Sequence, residues 1–313
     1  MKAVRFAQTG SAEVLTVVDL PLPQQEPDHI PISVELAGVN YIDIYHRRGQ
    51  YTLALPSGIG IEGIGRSSTG TRYFWLDNLC SYAQKINAPQ SSLTEIPATD
   101  LTNEELLPLL CQGMTAHYLV DGAYDVTRNE TAVVTAAAGG VGQLLVQLLK
   151  ARGVRVIALA SSHERANFAR SLGADVAGIY SELDQLVAEL TDGTGVNVVF
   201  DSVGRDFFNN GLNSLAPTGM YVLFGGASGP VPPFDLMRLN PNSLAIRRPT
   251  LATYTASADQ RIRRLNELIA LRKQGLLRYP FTKVFPLGES AHAHQLIESR
   301  TFTGKIGIDP WKI

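Results

Sequence analysis

One stretch, Thr131 to Gly142 (TAVVTAAAGGVG), limits what this chain can fold into more than any other. Its first residues are apolar without alternation, the pattern of a strand in a parallel sheet covered on both faces. The run stops at Ala136, small residues take over, and a helix is expected over Gln143 to Arg152. Ala137, Gly139 and Gly142 stand at the three glycine positions of the G-x-G-x-x-G dinucleotide fingerprint, with alanine in the first place and Gly140 and Val141 between the last two. In such a turn the middle glycine lets backbone approach a pyrophosphate, and the third lets the helix pack closely on its strand. The free N–H groups and positive dipole end of the helix then face the anion. A glycine-rich turn before a helix also occurs as plain structure, so the segments after it decide. Val154 to Ala160 (VRVIALA) reads as a second strand, Ser162 to Leu172 as a helix and Val176 to Tyr180 as a third strand, together a βαβαβ unit.

The alternation continues. Leu183 to Leu190 reads as helix, Val196 to Val203 as strand, Arg205 to Leu215 as helix, Met220 to Gly225 as strand, and a further strand falls near Ser243 to Arg247. Six strands separated by helices predict an α/β, doubly wound parallel sheet whose ligand sits at the carboxyl ends of its strands. The loops after Ala136, Ala160, Val203 and Phe224 should therefore gather around one ligand. Ahead of this domain, Lys2 to Phe6, Val14 to Val18 and Ile30 to Leu36 are short strand patterns between proline and glycine punctuation, the mark of a β-rich domain. Asn40 to Arg48 reads as a helix. Arg66 to Gln90 gives no clear pattern. From Thr102 the pattern is helical, with Thr102 as N-cap and Glu105 as its capping-box partner. After the central domain come a long amphipathic helix (Ala256 to Gln274), a strand (Phe281 to Pro286), a helix (Ser290 to Arg300) and a last strand (Gly304 to Ile308), which should return to the N-terminal domain.

Composition narrows the function classes. A net charge of −2, from 27 basic and 29 acidic residues, argues against nucleic acid or an anionic membrane as the main partner. The two cysteines, Cys80 and Cys111, allow neither a disulfide framework nor a cysteine-rich zinc site. No apolar run approaches the ~20 residues that span a bilayer, and the N-terminus lacks a signal-peptide pattern, so a cytoplasmic location is expected.

Seven stretches then carry a family resemblance: GVNYIDIYHRRGQY (38–51), LPSGIGIEGIG (55–65), AAAGGVGQ (136–143), FDSVGRD (200–206), FGGASG (224–229), RPTL (248–251) and TGKIGI (303–308). Through them the chain resembles the zinc-independent quinone oxidoreductases, the ζ-crystallin-like group of the medium-chain dehydrogenase/reductase superfamily. The resemblance implies a Rossmann NADPH-binding domain (113–250) inserted in a GroES-like β-rich catalytic domain (1–112 and 251–313). It also implies a homodimer or homotetramer. One departure is large: between Glu62 and Gly70, where the family carries a longer hairpin, this chain has only GIGRSST, shorter by roughly ten residues.

Zinc alcohol dehydrogenases of the same superfamily hold their catalytic metal with a cysteine and a histidine where this chain has Asn40 and Ile61. Three protein ligands cannot be completed without them, and His292 and His294, at i and i+2 on a helix, point to different faces. No metal is therefore expected. The second Rossmann strand ends Leu159-Ala160-Ser161-Ser162, without the acid that takes ribose hydroxyls in NAD enzymes and would repel a 2′-phosphate. Arg165 can supply the cationic partner, although Glu164 stands beside it. By resemblance the NADPH-binding set is Ser161, Arg165 and Tyr180, with Arg300 completing it. Thr115, Ser202 in FDSVGRD, Phe224 and Gly225 at a strand end, and Lys305 in TGKIGI join them as expected cofactor contacts.

Hydride transfer asks a protein mainly to position the nicotinamide, and without zinc a quinone oxygen needs hydrogen-bond donors or a cation. Asn40, Tyr45, Tyr51 and Arg248 are such candidates, and the resemblance places Asn40, Asp43, Tyr51 and Arg248 around the substrate in a cleft between the domains. Plain alternatives stand beside each: Asn40 as a helix N-cap, Asp43 with Arg248 as an ion pair, Tyr45 and Tyr51 as packing aromatics. The resulting expectation is reduction of a small-molecule quinone by NADPH, by hydride or one-electron transfer. The alternatives are an enone or alkenal double-bond reductase on the same scaffold and, in another class, a nucleotide-bound structural protein with little turnover.

Overall fold

The structure, a computed structural model, describes residues 1–313. Lys2–Phe6 (β1) and Thr16–Asp19 (β2) pair antiparallel; the second begins later than the sequence pattern indicates because Ala12–Val14 close a 3-10 turn. His29–Val39 (β3) is followed by Tyr41–Arg47 (α1), Ser57–Gly58 (β4), Glu62–Ser67 (β5), Arg72–Trp75 (β6), Lys85–Pro89 (β7) and Thr94–Glu95 (β8). The segment 66–90, without pattern in the sequence, thus supplies the end of one strand and two whole ones. The β5–β6 hairpin closes tightly: Gly70 N–H donates to Ser67 O and Ser67 N–H to Thr71 O, both at 3.0 Å. A Cβ added at Gly70 would meet nothing within 4 Å.

Thr102 and Glu105 form the expected capping box, with Glu105 N–H on Thr102 Oγ1 at 3.3 Å and Thr102 N–H on Glu105 Oε2 at 3.0 Å. The helix it starts, Asn103–Leu106 (α2), is short. Pro108 brings no N–H and crowds the preceding turn, so the chain passes through a 3-10 turn before Cys111–Tyr118 (α3).

Next come Thr131–Val134 (β9), Gly140–Ala151 (α4), Arg155–Ala160 (β10), His163–Ser171 (α5), Val176–Ile179 (β11), Leu183–Thr191 (α6), Val196–Asp201 (β12), Phe208–Asn213 (α7), Leu215–Leu223 (β13), Ala245–Arg247 (β14) and Leu251–Tyr254 (α8). The chain ends with Ala258–Lys273 (α9), Thr282–Pro286 (β15), Ser290–Ser299 (α10) and Lys305–Asp309 (β16). The helix after the glycine turn begins at Gly140 rather than Gln143, so its first turn is built from the glycines themselves.

Two compact units result. The first, Met1–Cys111 with Thr255–Glu267 and Pro280–Ile313, holds the β2-β1-β4 sheet and a larger one in the order β15-β16-β3-β5-β6-β8, with β7 also paired to β3. Its core gathers Phe6, Val34, Trp75, Tyr82, Leu287 and Ile308. The second, Gln112–Tyr254 with Leu268–Tyr279, holds six parallel strands in the order β11-β10-β9-β12-β13-β14, the doubly wound arrangement. Its core includes Val133, Ile157, Val199, Phe208 and Tyr221. Leu268–Tyr279 groups with the parallel sheet rather than with the C-terminal piece. Gln147 on α4 explains this by bonding the Arg278 backbone twice, to its carbonyl at 2.9 Å and from its N–H at 2.7 Å. No helix is long and apolar enough to cross a membrane.

Candidate active site

In the parallel-sheet unit, the turn after β9 is shaped by close approaches. A Cβ at Gly142 would stand 2.3 Å from Ala136 O and 2.8 Å from Ala137 Cα, so only glycine lets α4 lie this near the turn. Ala137 N–H bonds Leu159 O at 2.9 Å and Gly139 N–H bonds Ala136 O at 2.7 Å, so these two amides hold the turn together and do not face a phosphate. The N–H groups of Gly140, Val141 and Gly142 have no acceptor within α4, whose N-cap Gly139 brings no side chain. Donors left over in this way at a helix N-terminus suit an anion.

Neighbouring strand ends converge on this turn. Tyr180 OH accepts the Ala136 N–H at 3.0 Å, and Arg165, half-buried on α5, donates Nη2 to Ala138 O at 3.0 Å. Ser162 caps α5 by accepting Arg165 N–H at 3.3 Å, while Ser161, before it, is exposed. Burial, the main cause, lowers the Arg165 pKa, with Tyr180 and Glu164 acting against it; a guanidinium so placed is still charged. Thr135 Oγ1 donates to Asp201 Oδ1 at 3.0 Å and accepts Ser202 N–H at 2.9 Å. A Cβ at Gly225 would stand 2.7 Å from Ser202 O, and Phe224 N–H bonds Asp201 O at 2.8 Å. The ends of β9, β12 and β13 thus meet at one edge, with Arg165 and Tyr180 beside them. Thr115 is buried within α3. Arg165→Ala is expected to raise the KM for NADPH about tenfold or more while leaving that for NADH within about twofold; equal effects in steady-state kinetics would remove this assignment.

In the β-rich unit, a buried polar network surrounds the start of α1. Asn40 stands at the N-cap position, but its side chain does not cap the helix. Its Oδ1 accepts from Lys305 Nζ at 3.0 Å and its Nδ2 donates to Glu62 Oε2 at 2.9 Å. Lys305 Nζ lies 2.6 Å from the same Glu62 oxygen, both side chains being 0% exposed, and Cys111 N–H donates to Glu62 Oε1 at 2.6 Å. The cap comes instead from Asp43, whose Oδ2 accepts Asn40 N–H at 2.8 Å and Tyr82 OH at 3.1 Å. Beyond Tyr82 the chain of bonds runs to His294 (3.2 Å), Arg47 (3.1 Å) and Glu298 (2.8 and 2.9 Å).

Two sequence expectations change here. Lys305 turns inward onto Glu62, Asn40 and Val39 O, which leaves no face for a cofactor. Asp43 is fully buried, and no group on its surface can line a cleft. Tyr45 packs edge-on against Tyr41 and Tyr51 at 5.5 and 5.6 Å, with Tyr51 47% exposed. Arg248 is exposed and donates to Pro249 O at 3.1 Å. Arg300, exposed at the end of α10, belongs to the β-rich unit, whereas Ser161, Arg165 and Tyr180 belong to the other. Sequence reading missed Glu62, Tyr82, Arg47 and Glu298. The available signal was a charged residue inside an apolar or glycine run, as in IEGIG and GKIGI.

The donors at positions 40 and 61 do not suit zinc. The Asn40 amide is held between an ammonium and a carboxylate, and Ile61 offers only hydrocarbon.

A family model described as zinc-binding dehydrogenase matches residues 140–270. A probable quinone oxidoreductase of Schizosaccharomyces pombe is 36% identical over 97% of this chain and 95% of its own length. A 2-haloacrylate reductase of a Burkholderia species is 33% identical over 91% of each. The crystal structure of Escherichia coli quinone oxidoreductase complexed with NADPH superposes with a TM-score of 0.93 at 30% identity, covering 99% of this chain and 100% of that one.

Proposed function

Because the chain belongs to the zinc-independent quinone oxidoreductases of the medium-chain dehydrogenase/reductase superfamily, we propose that it reduces quinones with NADPH, without a metal ion. NADPH, when bound, supplies the hydride. The convergence of Arg165 on the glycine turn, with no acid at the end of β10, is the observation that carries the choice of nucleotide. The α4 amides hold the pyrophosphate, and Arg165 with Ser161 holds the 2′-phosphate.

Toward the substrate, Asn40 is the donor. Its Oδ1 faces Lys305 and one Nδ2 hydrogen faces Glu62, which leaves the second Nδ2 hydrogen for a quinone oxygen that gains negative charge. The Tyr41–Tyr45–Tyr51 cluster offers ring faces and edges to a planar substrate. Likeness to a 2-haloacrylate reductase supports a second reading, reduction of activated C=C bonds. Steady-state rates with 1,4-benzoquinone, 9,10-phenanthrenequinone and 2-hexenal separate the two. Quinones are expected to give the higher kcat/KM, and preference for the alkenal would overturn the first reading. Tight NADPH binding with no turnover of any of them would instead point to a nucleotide-bound structural protein.

We place the protein in the cytoplasm, a reading supported by the free thiols of Cys80 and Cys111. A homodimer is supported by β14, an edge strand with the exposed Ile246, near the exposed Leu236 and Met237.

A further inference from the structure

The carboxyls of the network in the β-rich unit differ in their partners. Lys305 pairs with Glu62 at 2.6 Å, and Glu298 pairs with Arg47 through two bonds and with Arg48 as well. Asp43, 0% exposed, has hydrogen-bond donors but no ion pair. Its two oxygens differ. Oδ2 accepts from Asn40 N–H and Tyr82 OH, whereas Oδ1 is buried without any protein partner.

Arg47 sets the direction of these bonds, because a guanidinium can only donate. His294 Nδ1 must accept from it, so the imidazole proton sits on Nε2 and is given to the Tyr82 oxygen. The Tyr82 hydroxyl hydrogen then points to Asp43 Oδ2. An ionised carboxylate with one oxygen unpartnered in such a place carries a large desolvation cost. A neutral carboxyl avoids that cost: the hydrogen sits on Oδ1, and Oδ2 is the accepting carbonyl.

We propose that Asp43 works as a neutral carboxylic acid with its proton on Oδ1, and that in this state it positions Asn40 for the quinone. It is a positioning residue, and it keeps its proton through turnover. The proposal's kinetic side rests on the quinone-reductase reading. On ionising, Asp43 faces the like charge of Glu62 on β5 and competes for the Lys305 ammonium on β16, which loosens the amide of Asn40 between them. Of the other groups around it, His294 on α10 is held down to about 3 by burial and by Arg47, so it is neutral through the physiological range. Burial raises the pKa of Tyr82 and of Cys111, and both stay protonated there. Arg47 is ion-paired with Glu298, which also meets Arg48. Burial pushes Asp43 itself up to about 7, with Glu62 adding to the rise and Asn40, Tyr82 and Lys305 opposing it. Its folded pKa is thus above the ordinary carboxyl value of 3.8, so the stability it contributes is full below that value and is lost as pH rises through about 7.

Infrared difference spectra of the whole protein, taken from about pH 6 to about pH 8, read the proton directly. The expected result is a protonated-carboxyl C=O band at the lower pH that fades at the higher and is missing in Asp43→Asn. In parallel, kcat/KM for 1,4-benzoquinone should fall about tenfold across the same range in the native protein. It should stay level in Asp43→Asn, with the KM for NADPH unmoved by pH in both. If Asp43→Asn does not fold, Tyr82→Phe decides, since losing a donor to Oδ2 should shift the band and the kinetic limb to higher pH. Absence of the band at about pH 6 overturns the neutral acid whatever the quinone kinetics. A band of the expected kind with an unchanged alkaline limb in Asp43→Asn overturns the positioning role. A band without quinone turnover overturns the functional reading and upholds the neutral acid.

Discussion

Gly142→Ala is expected to weaken NADPH binding about 100-fold and to destabilise the fold by about 1–3 kcal/mol. The added Cβ would stand 2.3 Å from Ala136 O and 2.8 Å from Ala137 Cα. Both are backbone atoms, so no side chain can rotate to make room. Either α4 or the turn must move by several tenths of an ångström, and that movement pulls the amides of Gly140 and Val141 off the phosphate position. Titration calorimetry with NADPH and urea unfolding read the two effects separately. An unchanged Kd would show that the close approach of helix and turn is packing alone. Loss of stability with unchanged affinity would say the same.

The second large effect belongs to the Lys305–Glu62 pair. Lys305→Met is expected to destabilise the protein by about 3–5 kcal/mol, because it leaves the carboxylate of Glu62 buried with no cation. Two donors would still reach Glu62, the Cys111 N–H at 2.6 Å and Asn40 Nδ2 at 2.9 Å, and they soften the loss without removing it. The double variant Glu62→Gln, Lys305→Met should recover most of the stability, since a neutral pair carries no such desolvation cost. It should not recover activity. Asn40 would have neither charge to orient its amide, and kcat/KM for quinone should fall about tenfold or more. Urea unfolding of the two singles and the double forms the cycle. Additive losses would mean that the pair does not act as a unit.

How far the sequence alone reaches differs between the two units. The strands of the parallel sheet are short apolar runs with a glycine turn at a defined point, and those local features give its six strands and its doubly wound class. Boundaries slip where the local signal is weak: α4 starts at Gly140 because glycines with poor helix propensity are held there by close packing on Ala136. The helix expected from Thr102 breaks at Pro108. In the β-rich unit the decisive contacts are not local at all. Lys305 reaches Asn40 across 265 positions and Arg47 reaches His294 across 247, and no periodicity reports such meetings. Lys305, read from its motif as a cofactor contact, is buried for that reason, and Asn40, with an N-cap among its sequence readings, has its side chain drawn off by the same pair. Charged residues inside apolar runs are the one trace that the network leaves in the sequence.

The tight β5–β6 hairpin has a consequence for how this scaffold varies. The hydrogen bonds of its tip stay within the hairpin, and a side chain at Gly70 would meet nothing, while both of its strands are fixed in the sheet by their pairing to neighbours. Lengthening or trimming such a tip exchanges hydrogen bonds local to the turn and changes loop-closure entropy by about 0.6 kcal/mol for each doubling of length. Chain length is therefore a nearly free variable at this point, whereas a single carbon added at Gly142 is not. Relatives can differ here by a whole hairpin end and keep the same fold, and an engineered insertion between Thr69 and Gly70 should leave the sheet pairing of both strands intact.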